Sequence, residues 1–255
     1  MEVVKMGNQW SDLAEAALHF VYPGVCAICG ANRATARQGF VCDDCRAGIR
    51  PVEAPFCGKC GLPFAGAVRG DFECANCAEM TLRFDFARGA VKANELIRDV
   101  VHRFKYQRHL WFEPFLGGLL VEAAAEELRG AGWDVLVPVP LHPVKLRERE
   151  FNQAELIARF VGRATGLPVE HRTLVRKVPT QTQTELTRAE RLANVKRAFS
   201  LHRRASVRGK SFILIDDVLT TGATTSACAA VLKRSGAARV GVWTVARATL
   251  SPRVA

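Results

Sequence analysis

Apolar and polar positions along this chain fall into three regimes. After a loose tail of eight residues, Trp10, Leu13, Ala17, Leu18 and Val21 keep helical spacing until Pro23. From residue 24 to about 80 no regular apolar period is found. From Phe86 onward, short apolar runs alternate with helical stripes, the pattern of an α/β unit. The pattern predicts a short strand near 89–91 and a helix carrying Leu96, Ile97, Val100, Val101 and Phe104. A second helix is expected from about Trp111 to Leu128, then a buried strand over 134–140 that prolines bring to a stop. An amphipathic helix over 153–165 closes at Gly166, and the chain near Leu174 reads as extended. Thr187 and Glu190 form a capping box for a short basic helix. Phe212-Ile-Leu-Ile215 reads as a strand buried on both faces. From Thr225 a helix carries Ala229 and Leu232 and ends at Gly236, and 239–246 supplies the last strand.

The densest chemistry follows the apolar run at 212–215. It ends at two adjacent carboxylates, Asp216 and Asp217, and a small-residue turn follows: Thr220, Thr221, Gly222, Ala223, Thr224. A strand, such a turn and a helix N-terminus make an anion site, because free N–H groups and the helix dipole favour a phosphate. Gly222 allows close backbone approach, and the threonine hydroxyls add donors. The two carboxylates cannot bind that phosphate, so sugar hydroxyls or a metal ion beside it suit them. The segment therefore reads as a holder of a phosphorylated sugar.

Eight of the nine cysteines form four Cys-x-x-Cys pairs: Cys26/Cys29, Cys42/Cys45, Cys57/Cys60 and Cys74/Cys77. Each knuckle aims two sulfurs at one ion, and a tetrahedral zinc site needs two knuckles. Twelve residues separate Cys29 from Cys42 and thirteen separate Cys60 from Cys74, gaps that suit a short hairpin. Gly30 and Gly61 directly follow a knuckle, where unhindered backbone helps. An aperiodic stretch of roughly fifty residues cannot hold itself by core burial, and structural metal supplies what is missing. Two structural zinc ions with sequential pairing are favoured; a crossed pairing and iron–sulfur ligation stay open. Cys228, among alanines, reads as a small core residue.

Charge changes the picture modestly. The 255 residues carry 36 Lys and Arg against 25 Asp and Glu, a net charge of +11, which points to an anionic partner. With 49% hydrophobic residues the chain can build a proper core. Residues 13–28 are apolar but interrupted by Glu15, His19 and Pro23, too short and broken to span a membrane. With no secretory pattern evident, a cytoplasmic location is expected.

A second group of residues belongs with the phosphate loop if two strand ends meet. Residues 137–142, Val-Pro-Val-Pro-Leu-His, end one strand, and Arg147, Arg149, Asn152 and Gln153 follow. In doubly wound sheets ligands sit at the carboxyl ends of strands, and arginine forks suit a pyrophosphate. On this segment alone, a plain strand stop with a solvated helix face is an equal reading. The polar stretch 180–186, followed by Arg188, Arg191 and Asn194, reads either as a lid or as a surface connection. Residues 102–112 interleave basic and aromatic side chains as single-strand binders do. Core placement of Phe104, Trp111 and Phe112 is the expected outcome there.

The stretch 212–225 resembles the 5-phosphoribosyl-1-pyrophosphate loop of type I phosphoribosyltransferases. Almost the whole chain, from Cys26 to Arg247, is similar to the ComF/GntX family of competence-associated, phosphoribosyltransferase-like proteins. The likeness takes in the double zinc ribbon, residues 102–106, the strand end at 137–142, Leu146-Arg-Glu-Arg, Phe151-Asn-Gln153, Thr180 with Gln183 and Leu186, and the phosphate loop. It departs at Glu150, where many relatives have glycine. The resemblance implies a type I phosphoribosyltransferase-like doubly wound parallel sheet over 85–250, preceded by a helix-bearing tail (1–23) and a double zinc ribbon (24–80). It implies ribose contacts by Asp216 and Asp217, 5′-phosphate contacts by residues 220–224, and pyrophosphate contacts by Lys105, Arg147 and Arg149, with Mg²⁺ accompanying phosphoribosyl pyrophosphate. It also implies uptake or processing of transforming single-stranded DNA beside other competence proteins. Turnover by a phosphoribosyltransferase, sensing without turnover, and DNA handling are all left open.

Overall fold

The computed structural model describes residues 24–64, 66, 72–177 and 198–248. The expected helix before Pro23, the polar stretch 180–186, the capping box at 187–190 and Arg191 and Asn194 lie outside these residues.

Two short helices, α1 (Asp43–Ala47) and α2 (Ala75–Glu79), each begin at a cysteine that acts as N-cap. There follow β1 (Phe86–Lys92), α3 (Glu95–Tyr106), α4 (Glu113–Gly130), β2 (Val135–Pro138), α5 (Pro143–Arg149) and α6 (Gln153–Thr165). A small hairpin, β3 (Leu174–Arg176) and β4 (Phe199–Leu201), leads to β5 (Ser211–Leu219), α7 (Ala223–Arg234) and β6 (Arg239–Arg247). The main sheet has the order β1-β6-β5-β2, and every pairing in it is parallel.

Local signals explain most boundaries. Asn94 caps α3 by accepting from the Ile97 N–H at 3.0 Å, and Arg103 and Lys105 sit in its last turn, where the helix dipole favours cations. Asn152 caps α6, and Gly166 closes it at φ 80°. The expected helix from Trp111 divides into a 3-10 turn (Leu110–Phe112) and α4, because Pro114 is tolerated only in a first turn. The first strand is longer than expected, as is the strand at 212–215. The apolar run of β5 ends at Ile215, but pairing with β6 carries the strand through both carboxylates to Leu219.

Both faces of the sheet are covered, which is why β5 and β6 lack polar alternation. On one face Phe212 and Leu214 pack with Cys228, Ala229 and Leu232 of α7, and with Leu174 and Phe199 of the hairpin. On the other, Ile213 and Ile215 pack with Ile97 and Phe104 of α3, Leu116 and Leu120 of α4, and Ile157 of α6. The two halves of the cysteine-rich segment divide between these faces. Ala27, Ile28, Cys45 and Ile49 pack on the α3–α4 side. All four of Cys57, Cys60, Cys74 and Cys77 join the α7-side core with Met80, Leu82 and Phe84. Between them, Pro51 bridges to Val91, so the linker covers the free edge of β1.

Candidate functional site

Among the described residues, two clusters can hold a metal ion: Cys26, Cys29, Cys42 and Cys45, and Cys57, Cys60, Cys74 and Cys77. Pairing is therefore sequential. Within the first cluster Cys26–Cys45 and Cys29–Cys42 are 3.8 Å apart between Sγ atoms. In the second the separations are 3.8 Å for Cys57–Cys77, 3.5 Å for Cys60–Cys74 and 3.7 Å for Cys74–Cys77. A regular tetrahedron with zinc–sulfur bonds of about 2.3 Å has edges of about 3.8 Å, so both sets fit zinc. Burial pushes the Cys26 thiol up, but N–H donors from Cys42, Cys29 and Ile28 outweigh it and bring it down to about 6. Cys57 falls to about 7 in the same way, with donors from Cys60, Cys74 and Lys59. Burial and the neighbouring sulfurs push Cys45 up to about 12 and Cys77 far up. N–H donors from Asn32 and Ala31 lower the Cys29 thiol as well, and a cation is needed to bring the raised thiols with these.

The stretch 220–224, expected to be a phosphate loop, lies at the carboxyl end of β5. Gly222 adopts φ 82° and opens α7 with no side-chain cap, so the first-turn N–H groups face outward. A side chain at Gly222 would strain that φ and meet the Phe84 ring 3.4 Å away. Ala223 N–H leans on Thr221 Oγ1 at 3.4 Å, and Thr225 Oγ1 donates to Gly222 O at 3.1 Å. Strand alternation separates the two carboxylates. Asp216 follows Phe212 and Leu214 toward the α7 face, where its charge adds to burial in raising the Cys228 thiol. Asp217, 3% exposed, points to the α3 face and forms an ion pair with Lys105 Nζ. Burial, then the neighbouring Asp217 charge, pushes the Asp216 carboxyl up to about 8, with Lys105 opposing.

Strand β2 lies beside β5 with Pro138 opposite Ile215, and Val139 N–H donates to Ile215 O at 2.9 Å. The strand end at 137–142 is thus brought to the acidic pair. Asn152 fixes it, donating to Val139 O at 3.1 Å while capping α6, and buried Gln153 accepts from Arg149. Lys105, Tyr106, Arg108, Lys145, Glu148 and Arg149 line one cleft. Lys105 and Arg149 therefore share a pocket; Arg147 is exposed on the same helix outside that lining.

Residues 102–112 only partly follow the expected core placement. Phe104 and Phe112 are fully buried, but Trp111 is 43% exposed and stacks on His109 with ring centroids 4.2 Å apart. A 3-10 turn in place of helix rotates Trp111 outward. Tyr106 is 63% exposed, with the Arg149 guanidinium 5.0 Å from its ring. Sequence reasoning missed Arg247 and Asn76, which touch the loop backbone from behind. The available signal was weak: a lone cation closing an apolar strand, and an amide between two metal-ligand cysteines.

The family profile of the double zinc ribbon domain matches residues 17–80. That of the phosphoribosyl transferase domain matches residues 154–252. Among solved structures, the chain is similar to a purine phosphoribosyltransferase from Pyrococcus horikoshii, 16% identical, covering 52% of this chain and 83% of that one, with a TM-score of 0.34. It is 29% identical to competence protein F of Haemophilus influenzae over 88% of this chain and 96% of that protein. It is 30% identical to DNA utilization protein YhgH of Salmonella typhimurium over 88% of this chain and 97% of that protein. Likeness across almost the full length of both relatives, with a zinc ribbon joined to a phosphoribosyltransferase fold, makes this chain a member of the ComF/GntX family of competence and DNA-utilization proteins.

Proposed function

We propose that the chain binds phosphoribosyl pyrophosphate, or a closely related sugar phosphate, together with Mg²⁺, and that it supports the handling of transforming single-stranded DNA in the cytoplasm. The observation that carries the first half is the uncapped start of α7 at Gly222 beside a carboxylate pair on the same strand. In this reading residues 220–224 hold the 5′-phosphate, and Asp216 and Asp217 face the ribose hydroxyls. Arg147 and Arg149 supply forks for the pyrophosphate, and Lys105 adds positive potential while fixing Asp217. The second half rests on the relatives, whose names speak of competence and DNA utilization.

Calorimetric titration of the zinc-loaded protein with phosphoribosyl pyrophosphate and Mg²⁺ tests the site, beside an Asp216→Asn/Asp217→Asn double variant. Saturable binding that disappears in the variant is expected. A folded wild type that gives no heat would remove the sugar phosphate from the reading. Pyrophosphate release on adding nitrogenous acceptors then separates a transferase from a sensor.

A further inference from the structure

Three successive carbonyls at the start of the phosphate loop are held by two buried side chains, Arg247 of β6 and Asn76 of the cysteine-rich segment. Arg247, at the end of β6, has no exposed surface. Its Nε donates to Cys60 O at 2.9 Å, and one terminal nitrogen donates to Cys60 Sγ at 3.2 Å. The other terminal nitrogen donates to Leu219 O at 3.1 Å and Thr220 O at 2.8 Å. The third carbonyl, that of Thr221, accepts from Asn76 Nδ2 at 3.2 Å. Asn76 is 3% exposed and stands on α2 between the ligand-type residues Cys74 and Cys77.

The geometry of a planar trans peptide gives these contacts a consequence. Each C=O points opposite to the N–H of the next residue. The Leu219 carbonyl is held by strand pairing as well, accepting from Ala248 N–H at 2.9 Å. It is therefore the fixing of the carbonyls of 220 and 221 by Arg247 and Asn76 that aims the N–H groups of Thr221 and Gly222 away from these two side chains. Successive N–H groups aimed the same way make a nest for an anion. Lysine cannot replace the guanidinium here, since the bonds diverge from a planar fork and reach two segments at once.

Charge points the same way. Among the described residues Arg247 forms no ion pair with Asp or Glu, and a buried cation without counter-charge is strongly destabilising. Four thiolates around one divalent cation carry two net negative charges, and Arg247 lies against one of those sulfurs. The second four-cysteine cluster is thus the charge partner of Arg247.

We infer that Arg247 and Asn76 are positioning residues, through which the second four-cysteine site sets the backbone of the phosphate loop in its anion-binding conformation. The inference rests on the loop being a phosphate site, and its test separates the two. Wild type, Arg247→Lys, Arg247→Met and Asn76→Ala are compared in zinc-loaded form. The readouts are zinc per chain, amide hydrogen exchange at the bonded loop amides Ala223 and Ser226 against 212–215, and titration with phosphoribosyl pyrophosphate and Mg²⁺. Arg247→Lys and Asn76→Ala are expected to keep their zinc and their protection at 212–215. Loop exchange should rise about tenfold and affinity should fall about tenfold, as for loss of a bond to a charged or buried group. Arg247→Met should show the larger effect; if it fails to fold, the other two variants decide. Unchanged loop exchange in both of them overturns the inference. So does exchange that rises equally at 212–215, which would make these residues general supports of the fold. If wild type binds no phosphoribosyl pyrophosphate while loop exchange still rises selectively, the positioning role stands and the ligand assignment fails.

Discussion

Asp216 and Asp217 are neighbours in sequence but face different surroundings. Asp217 meets a lysine on α3, whereas Asp216 turns to the α7 side, where it and Arg176 of the hairpin feel each other's charge. Burial and the adjacent charge raise the Asp216 carboxyl to about 8. Between roughly pH 4 and 8 the folded chain then holds a proton that the unfolded chain has lost. That contribution favours folding fully below about pH 4 and is lost as pH rises through 8. Relative to Asp216→Asn, wild-type stability should fall across this window by up to about 1.4 kcal/mol per pH unit, read from urea unfolding at fixed ionic strength. Parallel pH profiles would show that Asp216 is already ionised near neutrality. Lys105 illustrates what sequence leaves out at this scale. Its charge was evident, but its partner lies 112 positions away on another element, and only folding makes that pair.

Helices and strands of this chain were legible where local physics decides them. The stop at Gly166 and the apolar faces of α3 and α6 are properties of nearby residues. Glu150 is a finer case. It ends α5 in the left-handed region at φ 70°, and its N–H donates to Leu146 O at 2.7 Å. A glycine at this position thus serves the helix C-cap. Left-handed backbone costs a non-glycine residue about 1 kcal/mol. The exposed Arg108–Glu150 ion pair offsets little of that. Glu150→Gly should therefore stabilise the protein by about 1 kcal/mol in urea melts, without changing zinc content. A loss of stability would mean that the Arg108 contact outweighs the backbone strain. The extension of β5 through both acids was not legible, because its pairing with β6 overrides the weak strand propensity of aspartate.

At the scale of the whole molecule, the cysteine-rich segment is no separate bead on the sheet. Its first metal cluster packs toward α3 and α4, its second joins the core under the phosphate loop, and the link between them covers the edge of β1. The other whole-molecule feature is a pair of exposed rings, Tyr106 in the cleft with Arg108, Lys145 and Arg149, and Trp111 stacked on His109 five residues further on. Rings on a cationic surface suit unpaired bases and phosphates together. Single-stranded DNA should bind with affinity that falls steeply with salt, and Tyr106→Ala/Trp111→Ala should weaken it by about 2 kcal/mol or more in fluorescence titrations. Equal binding by that double variant would move the DNA surface elsewhere. Among the described residues, no helix is long and apolar enough to cross a membrane.

Sequence by itself determined what depends on short spacings. Four knuckles at Cys-x-x-Cys intervals, a strand of four apolar residues, and a glycine among threonines each confine their chemistry to a few adjacent residues, so no tertiary contact is needed to see them. Tertiary structure alone decided which residues stand behind those motifs. Arg247 reaches Cys60 and Thr220, Asn76 reaches Thr221, and Lys105 reaches Asp217, across separations that no local period records. The reason is physical: a motif is held by backbone geometry over a few bonds, whereas a buried charge or amide takes whatever partner the packed core brings within hydrogen-bond distance.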